Sequence, residues 1–370
     1  MPEKRRFAWV LSVLLLLAAA PAAAQSGFDV FTIGPVPVDV TAQSASAARD
    51  QALAEGERSA FQTLFERLTL AAERNAGRVR PPRVSGVQLV ELVRGFEVAN
   101  ERRSGVRYIA TYTFHFQPDG IRQLLSQAGV PFAETPSKPL VVLAVWREGD
   151  RVTLWDDPNP WRDAWTHAKL SPGLVPLVMP LGELGDVQAI DADAAASGDD
   201  ARLQAVSERY NGADVLVTQA TRKAGAASLT VASARYVPGT AGAAQSWTSD
   251  VPQSAGADLL APAVVETASR IEEAWKAANI LDPRQSGRLQ VRVPAATLGE
   301  WVAVRDRLNG IPAVRGTQLL SLDRGGARLE IAYVGGAAQL RLALAQRDLE
   351  LSGNDPDWVL RRRLGAAATH

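Results

Sequence analysis

The sequence predicts a multi-domain α+β protein. Apolar residues recur at strand spacing and at helix spacing in turn along the whole chain, and proline-containing breaks at 131–139 and 283–287 cut it into three stretches. Its 370 residues, 46% hydrophobic and 22% charged, supply enough apolar side chains for two or three cores of ~100–150 residues each. The expected units are an N-terminal βαββα-type domain at 28–130, a small α/β middle domain at 139–280 with a mostly parallel sheet, and a C-terminal ferredoxin-like βαββαβ unit at 288–353.

Ahead of these units, Lys4, Arg5 and Arg6 precede an apolar run from Phe7 to Ala20, and Ala22, Ala23 and Ala24 stand before Gln25. Residues 1–24 therefore read as a secretory signal peptide. Pro21 breaks the helix just before the small residues, which favours cleavage over an uncleaved anchor. The mature chain is expected to be exported, with no transmembrane segment after signal cleavage. It contains no cysteine, so neither disulfides nor thiol chemistry contributes.

In the first unit, Val36, Val38 and Val40 alternate as a strand. Ala45, Ala48, Ala52, Gly56 and Ala60 then recur at helical spacing, a stripe of small residues that lets a helix lie close on a sheet. After an Arg/Pro loop at Arg78 to Arg83 comes a hairpin, Val93 to Arg102 and Arg107 to Gln117 around Ser104-Gly105, and a short helix from Gly120 to Gln127. Pro131 to Pro139 reads as a linker. Leu140 to Trp146 is a continuous apolar run suited to a strand buried on both faces. A helix from Pro160, a strand near Leu174 to Met179, a helix from Asp200 to Tyr210 and a strand from Asp214 to Gln219 follow. Two antiparallel arms, Ser228 to Val237 and Ala244 to Val251, and a long helix from Asp258 to Ile280 complete the unit. The last unit has the order of a split βαβ fold, and residues 354–370, with Arg361, Arg362 and Arg363, read as a flexible tail.

Three blocks carry a resemblance. They are Val38-Asp-Val-Thr with its alanine-rich helix ending Leu64-Phe-Glu-Arg-Leu-Thr, Gly173-Leu-Val-Pro-Leu-Val-Met-Pro-Leu-Gly-Glu-Leu-Gly-Asp186, and Arg209-Tyr-Asn-Gly-Ala-Asp-Val-Leu-Val217. In order and spacing the chain resembles, from about Phe28 to Leu351, an exported bacterial family known as domain-of-unknown-function family 2066. It departs from that pattern at Gly182-Glu183, where an acidic residue would follow Pro180-Leu181 directly. The resemblance implies an envelope location and no particular activity, cofactor or catalytic set.

The balance of charge and the missing motifs exclude several function classes. Forty basic residues face forty acidic ones, and residues 1–24 hold three of the former against Glu3, so the remainder carries a net charge of −2. That argues against a nucleic-acid binder, which needs a basic face. There is no nucleophile elbow, phosphate-cradling glycine loop or His-Glu-x-x-His pair. Trp146-Arg-Glu-Gly149, after the first strand of the middle unit, lacks the glycines of a dinucleotide site.

His167 lies one turn after Asp163, the spacing of a catalytic dyad and equally of a solvent-facing pair. Glu183, Asp186, Asp191, Asp193, Asp199 and Asp200 crowd one loop but lack the turn and closing glutamate of a calcium hand, so a solvated loop with a helix cap is the simpler reading. Arg78, Arg80 and Arg83, like the tail arginines, have the spacing of solvated surface. No metal ligands, cofactor or catalytic residues are expected.

The most informative stretch is Trp155-Asp-Asp-Pro-Asn-Pro-Trp161-Arg-Asp-Ala-Trp165. Asn159 is placed to cap a helix beginning at Pro160, with Trp161 and Trp165 a turn apart on one face. The indoles are either core or the lining of a groove whose rim would carry Asp156, Asp157 and Arg162. The resulting expectation is an exported protein, periplasmic or peripheral to a membrane, that works as a non-catalytic interaction or assembly module with envelope protein partners. The alternatives are a small-ligand or glycan binder built on Trp155, Trp161 and Trp165, and a hydrolase using Asp156, Asp157 or Asp163.

Overall fold

The computed structural model describes residues 29–222, 228–252, 258–323 and 325–362, so the expected signal segment and the end of the tail from Arg363 lie outside the described residues. Among the described residues, eleven helices and three sheets make a mixed α+β protein. No helix among them is long and apolar enough to cross a membrane.

The N-terminal unit runs β1 (Thr32–Thr41), α1 (Ala45–Leu68), α2 (Ala71–Asn75), α3 (Gly86–Leu92), β2 (Val93–Arg103), β3 (Arg107–Phe116) and α4 (Pro118–Gln127). Its antiparallel sheet has the order β1-β3-β2. Along β3, Tyr108, Ala110, Tyr112, Phe114 and Phe116 are all buried, as period-two alternation requires of a strand with one covered face. The small-residue stripe of α1 lies on this row. A methyl group placed on Gly56 would stand 3.1 Å from the Phe114 ring. Gly56→Leu is therefore expected to destabilise the protein by about 1–3 kcal/mol, read as a lower midpoint in a denaturant melt.

Within residues 131–139, expected as a linker, Phe132 to Thr135 form a buried strap, while Lys138 and Pro139 are exposed. Phe132 exchanges backbone hydrogen bonds with Leu281 at 3.1 and 2.8 Å, and Ala133 N–H donates to Leu68 O at 2.8 Å. Phe132, Ala133, Glu134 and Thr135 are all buried, and both oxygens of the Glu134 carboxylate accept from the single Nε–H of Arg122, at 3.0 and 2.7 Å.

The middle unit comprises β4 (Leu140–Glu148), β5 (Arg151–Thr153), α5 (Pro160–His167), β6 (Leu177–Val178), α6 (Leu184–Ala189), α7 (Ala192–Ser197), α8 (Asp200–Arg209), β7 (Asp214–Arg222), β8 (Ser228–Tyr236), β9 (Gln245–Pro252) and α9 (Leu260–Asn279). The expected mostly parallel sheet is in fact mixed. Only β6 and β7 run parallel to β4; β5 pairs antiparallel with β4, and β8 and β9 extend the far edge as antiparallel arms. Each antiparallel strand follows its neighbour through a short return and needs no helical crossover. Leu140, Val142, Ala144 and Trp146 pack beneath α5 and α9, and Val141, Leu143 and Val145 face α7 and α8. Burial of both faces explains the unbroken apolar run of β4.

One hydrophobic core runs from Val30 through the N-terminal helix, the strap and the α9 side of the middle sheet to Trp275. Helix α9 fastens it. Lys276 Nζ donates to the Thr69 and Glu66 carbonyls at 2.8 and 3.2 Å and pairs with Glu273, and the Glu272 carboxylate accepts from Leu174 and Val175 N–H at 2.6 and 3.0 Å.

The C-terminal unit has a second core and the elements β10 (Ser286–Val293), α10 (Leu298–Asn309), β11 (Val314–Asp323), β12 (Gly326–Val334), α11 (Ala337–Ala345), β13 (Leu349–Ser352) and β14 (Trp358–Arg362). In the expected ferredoxin-like unit the fourth strand would lie beside the first. Here the order is β11-β12-β10-β14-β13, so β14 intervenes, parallel to β10 and antiparallel to β13. Residues 358–362 of the expected flexible tail are thus a strand. Leu360, fully buried, is its anchor in the core.

Candidate functional site

The tryptophan segment folds as its capping residues dictate. Asn159 Oδ1 accepts from Arg162 N–H at 2.9 Å and caps α5, whose first residue is Pro160. The Asn159 amide donates to the carbonyls of Ala144 and Leu154 at 2.9 and 3.0 Å, tying the segment to the edge of β4. The indoles of Trp161 and Trp165, 0% and 4% exposed, meet edge to face at 5.8 Å within the core, and Trp161 Nε1 donates to Thr218 O at 3.0 Å. They are packing residues, so of the two readings the core one describes Trp161 and Trp165, and they line no groove. The reason is the face of α5 on which they fall, turned onto the sheet and α9.

Trp155 is different. Its ring is partly exposed and its Nε1 donates to Ile190 O at 2.8 Å. Arg162 braces this corner, donating to Trp155 O at 2.7 Å and to Asp157 at 2.8 Å, while the Asp156 and Asp157 side chains stand at the surface.

Against Trp155 lies the loop that joins β6 to α6. Gly182, at φ +75°, adopts a conformation that side chains disfavour, and a Cβ there would stand 3.2 Å from the Trp155 ring. A buried carboxylate fixes the loop. Asp186, 3% exposed, accepts hydrogen bonds from Arg209 Nε at 2.6 Å, Tyr210 OH at 3.0 Å, and the N–H groups of Gly182 and Glu183 at 3.2 and 3.1 Å. Burial acts to raise its pKa, but these hydrogen bonds outweigh burial and hold the carboxyl below the usual aspartate range. For the same reason burial and the hydrogen bond to Asp186 push the Tyr210 hydroxyl up.

The fixed loop and the start of α6 turn apolar side chains outward. Leu181 is 83% exposed, Leu184 74% and Val187 45%. Single exposed leucines are ordinary, but three such side chains within seven residues, beside the partly exposed Trp155 indole, form a patch of the kind that marks contact with another molecule. Exposed Asp156, Asp157 and Glu183 edge it. No sequence periodicity singles out Leu181 and Leu184. The signal in the sequence was the stretch Pro180-Leu-Gly-Glu-Leu-Gly-Asp, whose two leucines stand among glycines and acids where the structure begins α6 at Leu184.

The other candidates resolve into structural roles. His167 Nδ1 lies 2.8 Å from the backbone carbonyl of Asp163 and makes no dyad with its carboxylate. His115 bridges Thr32 and Glu97 at 2.9 and 3.2 Å across the open face of the first sheet, and His370 lies outside the described residues. In the acidic run, Asp191 caps α7 and Asp199 caps α8. Among the described residues no three acidic or histidine side chains converge as a metal would require.

No family model and no curated protein matches the chain. Among solved structures, the C-terminal domain of LpoB from Salmonella enterica is similar over 36% of this chain and 93% of that domain, at 16% identity and a TM-score of 0.23. A likeness of that degree assigns neither family nor partner.

Proposed function

We propose that the protein is an exported, non-catalytic interaction module of the bacterial envelope, and that Leu181, Leu184 and Val187 are the centre of its docking surface. The outward leucines on a loop locked by Asp186 carry this reading. A surface whose backbone is fixed before binding loses little conformational entropy on association. Its rim is of mixed charge, Asp157 paired with Arg162 and Glu183 with Arg209, so the partner it fits is an envelope protein with an apolar groove bordered by polar side chains. The resemblance to domain-of-unknown-function family 2066 belongs to the same reading, because the Asp186 network joins two of the three blocks that carry it. Burial of Trp161 and Trp165 favours this function over a glycan platform, which would need their faces free.

The test compares wild type with the Leu181→Glu/Leu184→Glu double variant by crosslinking in intact cells and mass spectrometry of the copurifying envelope proteins. Both side chains are exposed, so thermal stability is expected to stay unchanged while the partner enriched with wild type is lost. Higher ionic strength should leave capture largely unchanged, since the contact is apolar and Asp157 and Glu183 of the rim are already paired within the chain. Equal capture by the double variant would sink the reading.

A further inference from the structure

The helix-free face of the C-terminal sheet carries two arginines in an unusual arrangement. β10 and β12 pair with Arg292 directly opposite Arg328. Like charges facing one another across strands are destabilising. The alternation that buries Val291, Val293 and Leu329 under α10 and α11 places both arginines on the other side, exposed. Arg288, on the same face, finds Glu330 at 3.4 Å. Among the described residues, no carboxylate comes within ion-pair distance of Arg292 or Arg328.

A pocket of about 460 Å³ opens at the pair, between β10 and the turn that enters β14, with Gln290, Pro356 and Asp357 among its walls. Val359 of β14 stands beside Arg292, and Arg361, two residues on, shares the face. The strand that creates this pocket is the one absent from a ferredoxin-like order.

We propose that the pocket binds a phosphate ester of a polyol. Two arginines at directly paired positions, both lining the pocket, supply guanidinium donors for the oxygens of a phosphate, whose charge would offset the repulsion between them, a role that a single carboxylate serves less well. Asp357 supplies an acceptor for a hydroxyl of the esterified alcohol. The same chemistry occurs in a soluble sugar or glycerol phosphate and in the headgroup of an anionic phospholipid.

The experiment titrates the chain lacking residues 1–24 with glycerol 1-phosphate by calorimetry, and in parallel sediments it with phosphatidylglycerol or phosphatidylcholine vesicles. Arg292→Ala/Arg328→Ala is expected to weaken binding by at least about tenfold, while Arg315→Ala, an exposed charge on the edge strand of the same sheet, leaves it unchanged. All three side chains are exposed, so cooperative melts at or above the wild-type midpoint, with the double variant raised by removal of the facing charges, will show that the fold is intact. Binding of glycerol 1-phosphate without vesicle sedimentation supports a soluble ester, and selective sedimentation with phosphatidylglycerol supports a lipid headgroup. Failure to bind either probe at millimolar phosphate, or equal binding by the double variant and Arg315→Ala, would overturn the site.

Discussion

Arg122→Met is expected to lower the unfolding free energy by about 3–5 kcal/mol in a urea melt, because it strands a carboxylate from which water is excluded. Glu134 has no exposed side-chain surface, and its partner Arg122 is itself held by Asp119 at 2.7 Å. The loss falls on the strap between the N-terminal and middle units, so it should disturb the core they share. Burial pushes the Glu134 carboxyl above the usual glutamate range, against the pull of Arg122. A raised folded value means that the folded state holds the proton more tightly. The group's contribution is therefore complete below the unfolded value of about 4.3 and is lost as pH rises through the folded one. Removing Arg122 raises Glu134 further. The deficit against wild type should accordingly be smaller near about pH 5 than near about pH 8, and equal deficits at both would show that the pair is not buried as described.

Asp186→Ala is expected to cost about 3 kcal/mol, since it leaves Arg209, Tyr210 and two loop N–H groups without their charged acceptor. The sign of its pH dependence is the reverse of that of Glu134. Asp186 has a lowered folded value, so its contribution is present above the unfolded value of about 3.9 and disappears as pH falls through the folded one. Hydrogen exchange in the wild type should show Gly182 and Glu183 amides protected at neutral pH and freed in the variant. The variant should also lose the partner, although its leucines are intact. Retained capture with a melted loop would separate docking from the Asp186 network.

Local chemistry was legible in the sequence wherever adjacent residues decide the outcome. Asn159 before Pro160 announces the start of α5, Asp199 caps α8, and the unbroken run of Leu140 to Trp146 marks a strand covered on both faces. The hairpin of β2 and β3 follows from its alternation. Features set by distant partners were not legible. The side to which α5 turns Trp161 and Trp165 is decided by a sheet and by α9, far along the chain. Leu181 and Leu184 point outward because Asp186 reaches Arg209 and Tyr210, more than twenty residues away. The helices α6 and α7 lay concealed in an acidic stretch whose carboxylates serve as caps. β14 was masked by the turn-forming residues before it and the arginines at its end, although Trp358, Val359 and Leu360 carry its strand character.

If the surface from Leu181 to Val187 is preformed for docking, a photoreactive amino acid placed at Leu184 in living cells will capture the partner. The control position is Val265, an apolar residue on α9 that is likewise exposed. The account predicts one reproducible adduct with an envelope protein from position 184, absent from position 265 and abolished by Leu181→Glu. No adduct at 184, or the same products from both positions, would contradict it.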